Sequence, residues 1–350
     1  MRPGKKILFL ANWPKTTRNT EQGYAFFRHF QNVPEITFLG SLRIPLISRI
    51  EKQLLRFYII QSLIAFFRAS SYDLVLAYSS QCGLPLAMLF RLFGKRAPLI
   101  LFDVETFGRP ERGLKKKLVA FALPAVDHVV YASSRQREFY DAHFPGLIDK
   151  CTHIPIGIGA YEKQISFSET IGSDHIIAIG RHDRRFRDWT TLLRAFAKVN
   201  DRISLLIVGR ETIEPENRSH LPIPDGVRFV PYVPIEKLQE LAERARFAVL
   251  PLPERNQSLG QLSILFLMAM GKAVIVSKVM GVEDYLEPES SGLFYRTGDA
   301  DDLAAQITRL LDEPEKTVEM GRAGRQLYET RFNDRIMGQR WEAVIEKVLF

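Results

Sequence analysis

Cysteine is nearly absent: Cys82 and Cys151 are the only two in 350 residues. They match no metal-binding or redox spacing, so neither a disulfide framework nor a zinc or iron–sulfur centre organises the chain. They fit a reducing compartment. Long apolar runs are missing too, and none approaches the ~20 residues of a membrane-spanning helix. Near the N-terminus the run from Ile7 to Ala11 is too short for a signal-peptide core, and Pro14 and Lys15 interrupt it. It reads as a first buried strand. No low-complexity tract or repeat is present, and nothing resembles a helix-turn-helix, a zinc finger or an RNA-binding signature. Nucleic acid is therefore not an expected partner, despite a net charge of +8. The positive balance points instead to phosphorylated substrates or anionic lipid.

The composition is that of a globular protein, 46% hydrophobic and 25% charged, and 350 residues make two domains the natural expectation. The first half alternates strands and helices. Strands are expected at 5–11, 36–39, 73–78, 98–103, 127–132 and 152–157. Helices are expected in the apolar-rich segment from Tyr24 to Phe30 and at 48–68, 83–93, 113–123 and 134–144. Strands this apolar, each followed by a helix, imply a parallel sheet covered on both faces. Residues 160–174 are polar and without periodicity, which marks a linker.

Past the linker lies the stretch around which the second half is organised. Ile176 to Ile179 form a buried strand, and Gly180 ends it. Arg181, His182, Asp183, Arg184, Arg185 and Phe186 follow, then Arg187. Asp188 is placed to cap a helix whose apolar positions Leu192, Leu193, Phe196 and Val199 share one face. A strand, a glycine turn, a cationic loop and a helix start together make an anion site, with a diphosphate as the natural guest. A solvated basic loop would have the same composition.

Further strands are expected at 203–209, 227–233, 247–252, 271–277 and 292–299. Helices are expected at 235–245 and 261–270, from about 281 to 286, and over 299–313, 314–331 and 334–349. The last helix carries an apolar stripe of Met337, Trp341, Val344, Ile345 and Val348. The chain thus reads as two doubly wound α/β domains, residues 1–159 and 175–333, joined by the 160–174 linker and followed by the 334–350 helix. Such sheets take ligands at the carboxyl ends of their strands.

The segments IGRHDRRFRDWTTLLRAF, LLIVGRE, VRFVPYVPIEKLQELAERARFAVLP and SLGQLSILFLMAMGKAVIVSKVMGVEDYLEPESSGLFYRTGDADDLAAQI occur in that order from Ile176 onward. Together they resemble the C-terminal domain of the family 4, group 1 glycosyltransferases. The first half fits more loosely, through HVVYASSRQREFY and HIPIGI. The resemblance implies the GT-B fold: two Rossmann-like domains facing across a cleft, with the C-terminal helix crossing back to the first. It implies transfer of a sugar from a nucleotide sugar, UDP- or GDP-linked, to a polysaccharide, glycolipid or other acceptor. Retention of configuration, no metal and no cofactor are further expectations.

By the same resemblance Arg181 and Arg187 fall on the two positions that hold the donor diphosphate. Arg187 stands where the family has Lys, keeping the charge. Gly180, Gly209, Tyr232, Val233, Ser258, Leu259, Gly260 and Gln261 complete the implied donor site. On the acceptor side stand Gly23, the remnant of a glycine-rich loop, together with Asp103 and Glu105, which would orient an acceptor hydroxyl. Asp103 joins the two arginines as a catalytic candidate, although an Asp that merely ends a strand fits equally well. His153 and His182 read as structural. The family's two Glu, eight positions apart, are replaced by Ser258 and Phe266, and Phe266 cannot hold a ribose hydroxyl. That departure opens an alternative: a noncatalytic GT-B protein that binds a nucleotide sugar or a partner.

The helix 48–68 combines apolar and basic residues, and Lys115, Lys116 and Lys117 add charge in the same domain. It is a candidate contact with an anionic membrane surface, although packing against the sheet demands the same apolar character. The expected location is cytoplasmic, peripheral to the inner face of the membrane.

Overall fold

The computed structural model describes residues 4–14, 25–41, 57–103, 113–159, 167, 172–180, 186–209, 223–255 and 258–350. The chain forms two compact units: Met1–Gly159 with Asp334–Phe350, and Ala160–Asn333. Of the expected linker, only residues 167 and 172–174 are described.

The first unit holds a parallel sheet of six strands: β1 (Lys6–Leu10), β2 (Glu35–Leu39), β3 (Leu74–Ala77), β4 (Leu99–Asp103), β5 (His128–Tyr131) and β6 (Cys151–His153). The order is β2-β1-β3-β4-β5-β6. Ile7 sits opposite Ile36 on one side and Leu74 on the other, which fixes the register. β3, β4 and β5 are buried along their whole length, as a sheet covered on both faces requires. Alternate residues serve the two faces. Leu8, Leu10, Val75 and Leu101 pack with Phe66 of helix α1 (Ile59–Arg68), Phe90 of α2 (Ser80–Phe93), Val119 of α3 (Gly113–Ala122) and Tyr140 of α4 (Arg135–His143). Ile7, Phe9, Leu76 and Phe102 face the other way, onto Phe26, Phe27 and the final helix.

That final helix is α10 (Asp334–Leu349), and Met337, Trp341, Val344 and Ile345 are its buried stripe. It packs closely on the 3₁₀ helix Ala25–His29: a Cβ placed on Gly338 would lie 2.6 Å from the Phe26 carbonyl oxygen. Arg28 and His29 both meet the Asp334 carboxylate, and the Gln31 N–H donates to Glu342. The α-helix expected around Tyr24 to Phe30 is this shorter 3₁₀ segment. It buries Phe26, Phe27 and Phe30 together, with the rings of Phe26 and Phe27 stacked at 4.5 Å.

The helix expected at 48–68 also differs. Residues 48–56 lie outside the described residues, and α1 begins only at Ile59 because Tyr58 is non-helical, with φ −99 and ψ 78. The cause lies in α2. Pro85 has no N–H, so the Gln81 carbonyl loses its partner inside that helix. The Tyr58 N–H donates to it instead, at 3.1 Å. The Ser62 hydroxyl completes the junction by donating to the Tyr58 and Cys82 carbonyls.

The second unit repeats the scheme with β7 (His175–Ile179), β8 (Ser204–Val208), β9 (Val227–Val230), β10 (Ala248–Leu250), β11 (Val274–Ser277) and β12 (Gly292–Tyr295). All are parallel, in the order β12-β11-β10-β7-β8-β9. The order reverses between β7 and β10, and such a switch point opens a crevice at the carboxyl ends of the strands. Helices α5 (Trp189–Phe196), α6 (Ile235–Glu243), α7 (Gln261–Ala269), α8 (Ala300–Asp312) and α9 (Pro314–Leu327) flank the sheet. Residues Ile264 to Ala269 of α7 are all buried. The helix expected from 281 to 286 is a series of turns, and the last turn of the expected 314–331 helix widens into a π-turn, Tyr328–Phe332.

Candidate functional site

β7 delivers Ile179 and Gly180 to the switch point, and β8 delivers Val208 and Gly209 beside them. Both glycines are needed there. A Cβ on Gly209, whose φ is +101, would lie 2.7 Å from the Gly180 carbonyl oxygen, and one on Gly180 would lie 2.4 Å from Arg187 Nε. Only bare backbone lets the two strand ends meet and lets Arg187 fold across them.

Arg187 reaches back because Asp188, the next residue, starts α5. Its carboxylate accepts from the Thr191 N–H at 3.1 Å and from the Thr191 hydroxyl at 2.5 Å. The Asp188 N–H donates to the Pro251 carbonyl at 2.7 Å, tying the helix start to β10. Arg187 is 5% exposed. Its Nε donates to the Ile179 carbonyl at 2.9 Å, and its terminal nitrogens donate to the Phe186 carbonyl at 2.7 Å and to Ser263 Oγ at 2.8 Å. Among the described residues no carboxylate pairs with it. Burial lowers its pKa to about 10, so it stays charged at neutral pH.

Ser263 lies in the first turn of α7. Gly260 precedes that helix in the left-handed region at φ +85 and offers no side-chain cap, so the first N–H groups of α7 keep their donors free of one. A Cβ at Gly260 would press on Leu252 at 2.8 Å. Leu252 is itself held by Ser277 Oγ, which accepts from its N–H at 2.7 Å and bonds the Tyr295 hydroxyl. Gln261 donates back to Ser258 across the helix start. A buried cation and an uncapped helix N-terminus thus converge, and both favour an anion.

Next to them is a cavity of about 250 Å³ lined by Ile179, Gly180, Val208, Gly209, Tyr232, Val233, Leu238 and Ser263. Its walls are apolar at the strand ends and polar at Ser263 and the backbone. Tyr232 is 79% exposed at its rim. Of the residues assigned to a donor site from sequence, Gly180, Gly209, Tyr232 and Val233 meet in this one pocket, with Arg187 against its floor at Gly180. Ser258, Leu259, Gly260 and Gln261 form the lead-in to α7. Leu238 and Ser263 were not anticipated. Ser263 had a signal: it is a hydroxyl in the first turn of an otherwise apolar run, LSILFLMA.

Arg181, with His182, Arg184 and Arg185, lies outside the described residues, and so do Gly23 and Glu105. Asp103 is described, and its surroundings assign it a different task from orienting an acceptor. It is fully buried at the end of β4. Ser80 donates to one carboxylate oxygen at 2.7 Å; Gln136 and Tyr140 donate to the other at 3.0 and 2.9 Å. Gln136 also donates to the Asp103 carbonyl. The carboxylate therefore fastens the starts of α2 and α4 to the sheet and has no solvent-facing edge for a substrate hydroxyl. Burial, with the Asp103 charge second, holds the Tyr140 hydroxyl well above the ordinary tyrosine range. His153 stacks on Tyr131 with ring centroids 5.5 Å apart, a packing role. Phe266 is buried inside α7.

Residues 173–313, from the approach to β7 to just past the end of α8, match the family described as glycosyl transferases, group 1. The second unit resembles a group 1 glycosyl transferase domain. The matched span contains every residue of the pocket and the Arg187–Ser263 contact. Solved structures resemble the whole chain. Alr3699/HepE from Anabaena, determined with UDP, is 15% identical, with 98% of this chain and 100% of that chain covered and a TM-score of 0.73. Sucrose-phosphate synthase from Thermosynechococcus elongatus is 18% identical over 98% of each chain, also at 0.73. A glycosyltransferase from Rickettsia africae is 16% identical over 99% of each, at 0.74. Likeness at such identities speaks for fold, and the chain has the two-sheet GT-B architecture. No significant match is found among curated proteins.

Proposed function

We propose that the chain transfers a sugar from a nucleoside-diphosphate sugar to a carbohydrate or lipid-linked acceptor. The observation that carries this is Arg187: a buried guanidinium with no carboxylate among the described residues, at the first turn of α7 and against a pocket of nucleoside size. A diphosphate supplies the missing negative charge, with the base and ribose toward Tyr232, Val233 and Leu238. The reaction breaks the bond between the sugar's anomeric carbon and the diphosphate oxygen and forms one to the acceptor oxygen. The leaving phosphate takes the acceptor proton, so no protein base is required. Arg181 and Arg187 with the α7 N-terminus stabilise the charge that grows on the leaving group, a task elsewhere given to Mg²⁺. Retention is taken over from the family.

The test is a panel of UDP- and GDP-sugars, scored for release of nucleoside diphosphate. Release from one of them is expected. Arg181→Ala and Arg187→Ala should each lower it by roughly a hundredfold or more, since one such contact contributes about 2.7–4 kcal/mol in the transition state. Unchanged kinetics in both variants would remove the assignment.

Phe266 favours a second function. A buried phenyl ring where the family has Glu leaves the ribose without a carboxylate, as suits a protein that binds a nucleotide sugar without turning it over. Calorimetric binding of UDP or GDP, with no release from any donor, would decide for it.

A further inference from the structure

The first unit carries a surface that donor chemistry does not use. Along 57–126 the only acidic residues are Asp73, Asp103, Glu105 and Glu111, and none of them lies in α1, α2 or α3. The basic residues there include Arg68 on α1, Arg91 on α2, Lys95 and Arg96 just past α2, and Lys115, Lys116 and Lys117 on α3. Asp73 and Asp127, which follow α1 and α3 in the chain, are paired with Lys5 and Lys95.

On the same three helices large apolar side chains stand in solvent. Phe67 is 69% exposed, Phe93 67% and Leu92 61%; Leu63 and Phe121 are also exposed. They form one connected patch. The Phe66 ring meets Phe67 at 5.5 Å and Phe93 at 6.1 Å, joining α1 to α2, and Arg91 lies over Phe121, joining α2 to α3. Arg96 lies 4.1 Å over the Phe66 ring, which holds a guanidinium against the apolar ledge. Exposed aromatic rings bordered by cations, on three helices that contain no acidic residue, complement a surface that is apolar below and negative above. No described helix is long and apolar enough to cross a membrane, so contact would be from one side.

We infer that the C-terminal ends of α1, α2 and α3 dock on an anionic lipid bilayer. Phe67, Leu92 and Phe93 enter the headgroup boundary, and Arg68, Arg91 and Arg96 meet lipid phosphates. This surface keeps Leu63, Phe67 and Arg68 of the one expected at 48–68 and extends it over the ends of α2 and α3. Each of those helices leads into the amino end of the next strand, so the patch lies at the amino edge of the sheet. The carboxyl edge, where α/β sheets take ligands, stays clear of it.

The full-length chain is to be sedimented with vesicles of phosphatidylcholine alone and of phosphatidylcholine mixed equally with phosphatidylglycerol. Binding to the mixed vesicles only, weakened by salt, is expected. The double variant Phe67→Ser, Phe93→Ser should lose ~tenfold or more in vesicle affinity, as the area of two rings leaves the lipid. Arg68→Glu with Arg91→Glu should remove the preference for the anionic lipid. Protection of the β1, β3 and β4 amide protons from exchange, read in the same unit as the substitutions, reports that each variant is folded. A wild-type chain that ignores both vesicle types, or folded variants that bind as well as wild type, would overturn the assignment. So would self-association in place of vesicle binding, which would make the patch a protein interface.

Discussion

Arg187 and His128 are both buried, and burial does opposite things for them. Arg187 keeps its charge because even a pKa lowered to about 10 lies far above neutrality. His128, on β5, loses its charge. Burial first, and the Lys347 charge second, push it down to about 4 from an ordinary 6.5, while its ring bonds Thr152 Oγ1 at 2.8 Å. The unfolded chain therefore takes up a proton that the folded chain refuses between about pH 6.5 and 4. Stability of the first unit is full above 6.5 and falls as pH drops toward 4, by roughly 3 kcal/mol from this group. Urea unfolding followed across that range should show the slope, and His128→Gln should flatten it. Neither residue's burial could be read from sequence. Arg187 was singled out as a candidate diphosphate contact only through the family resemblance, and Asp103 was open between two roles until Ser80, Gln136 and Tyr140 appeared around its carboxylate. Side chains that converge from positions more than twenty residues apart leave no local pattern.

Among the elements, strands announced themselves best. Runs such as LVLA, LILF and AVL are apolar throughout because both faces are covered, and their ends fall within a residue or two of expectation. Helix starts were less legible where a distant residue sets them. α1 begins at Ile59 because Pro85 of α2 frees a carbonyl for Tyr58, a cause that lies outside the helix's own sequence. α10 shows how tightly an element can be seated once formed. Gly338 faces the backbone of Phe26, and an added methyl would have to displace it. Gly338→Ala should raise the intrinsic helix propensity of α10 yet destabilise the first unit by about 1–3 kcal/mol, the usual result of overpacking. Chemical denaturation gives the sign directly: stabilisation would mean that the Phe26 segment yields easily.

At the scale of the molecule, two sheets of the same size each hold their own core, and one of them is assembled from both ends of the chain. The apolar stripe of α10 predicts that it must cover something. Phe9, Phe102 and Phe26 are what it covers, with Trp341 5.4 Å from Phe26 and 5.1 Å from Phe102. Removing residues 334–350 should therefore unfold the first unit and spare the second. The truncated chain is expected to keep UDP binding while the amide protons of β1, β3 and β4 exchange freely. Retained protection in those strands would show that the first sheet stands without its last helix.

The place of α10 has a consequence for synthesis. A chain emerging from the ribosome presents β1 to β6 first, but the helix that shields Phe9 and Phe102 is encoded only after the entire second unit. The usual vectorial order, amino-terminal domain first, is thus inverted here. The second unit can close as soon as its own strands are out, whereas the first sheet must wait, one face bare, until α10 has been made. During that interval the aromatic face of β1 and β4 is the part of the nascent protein most in need of a chaperone.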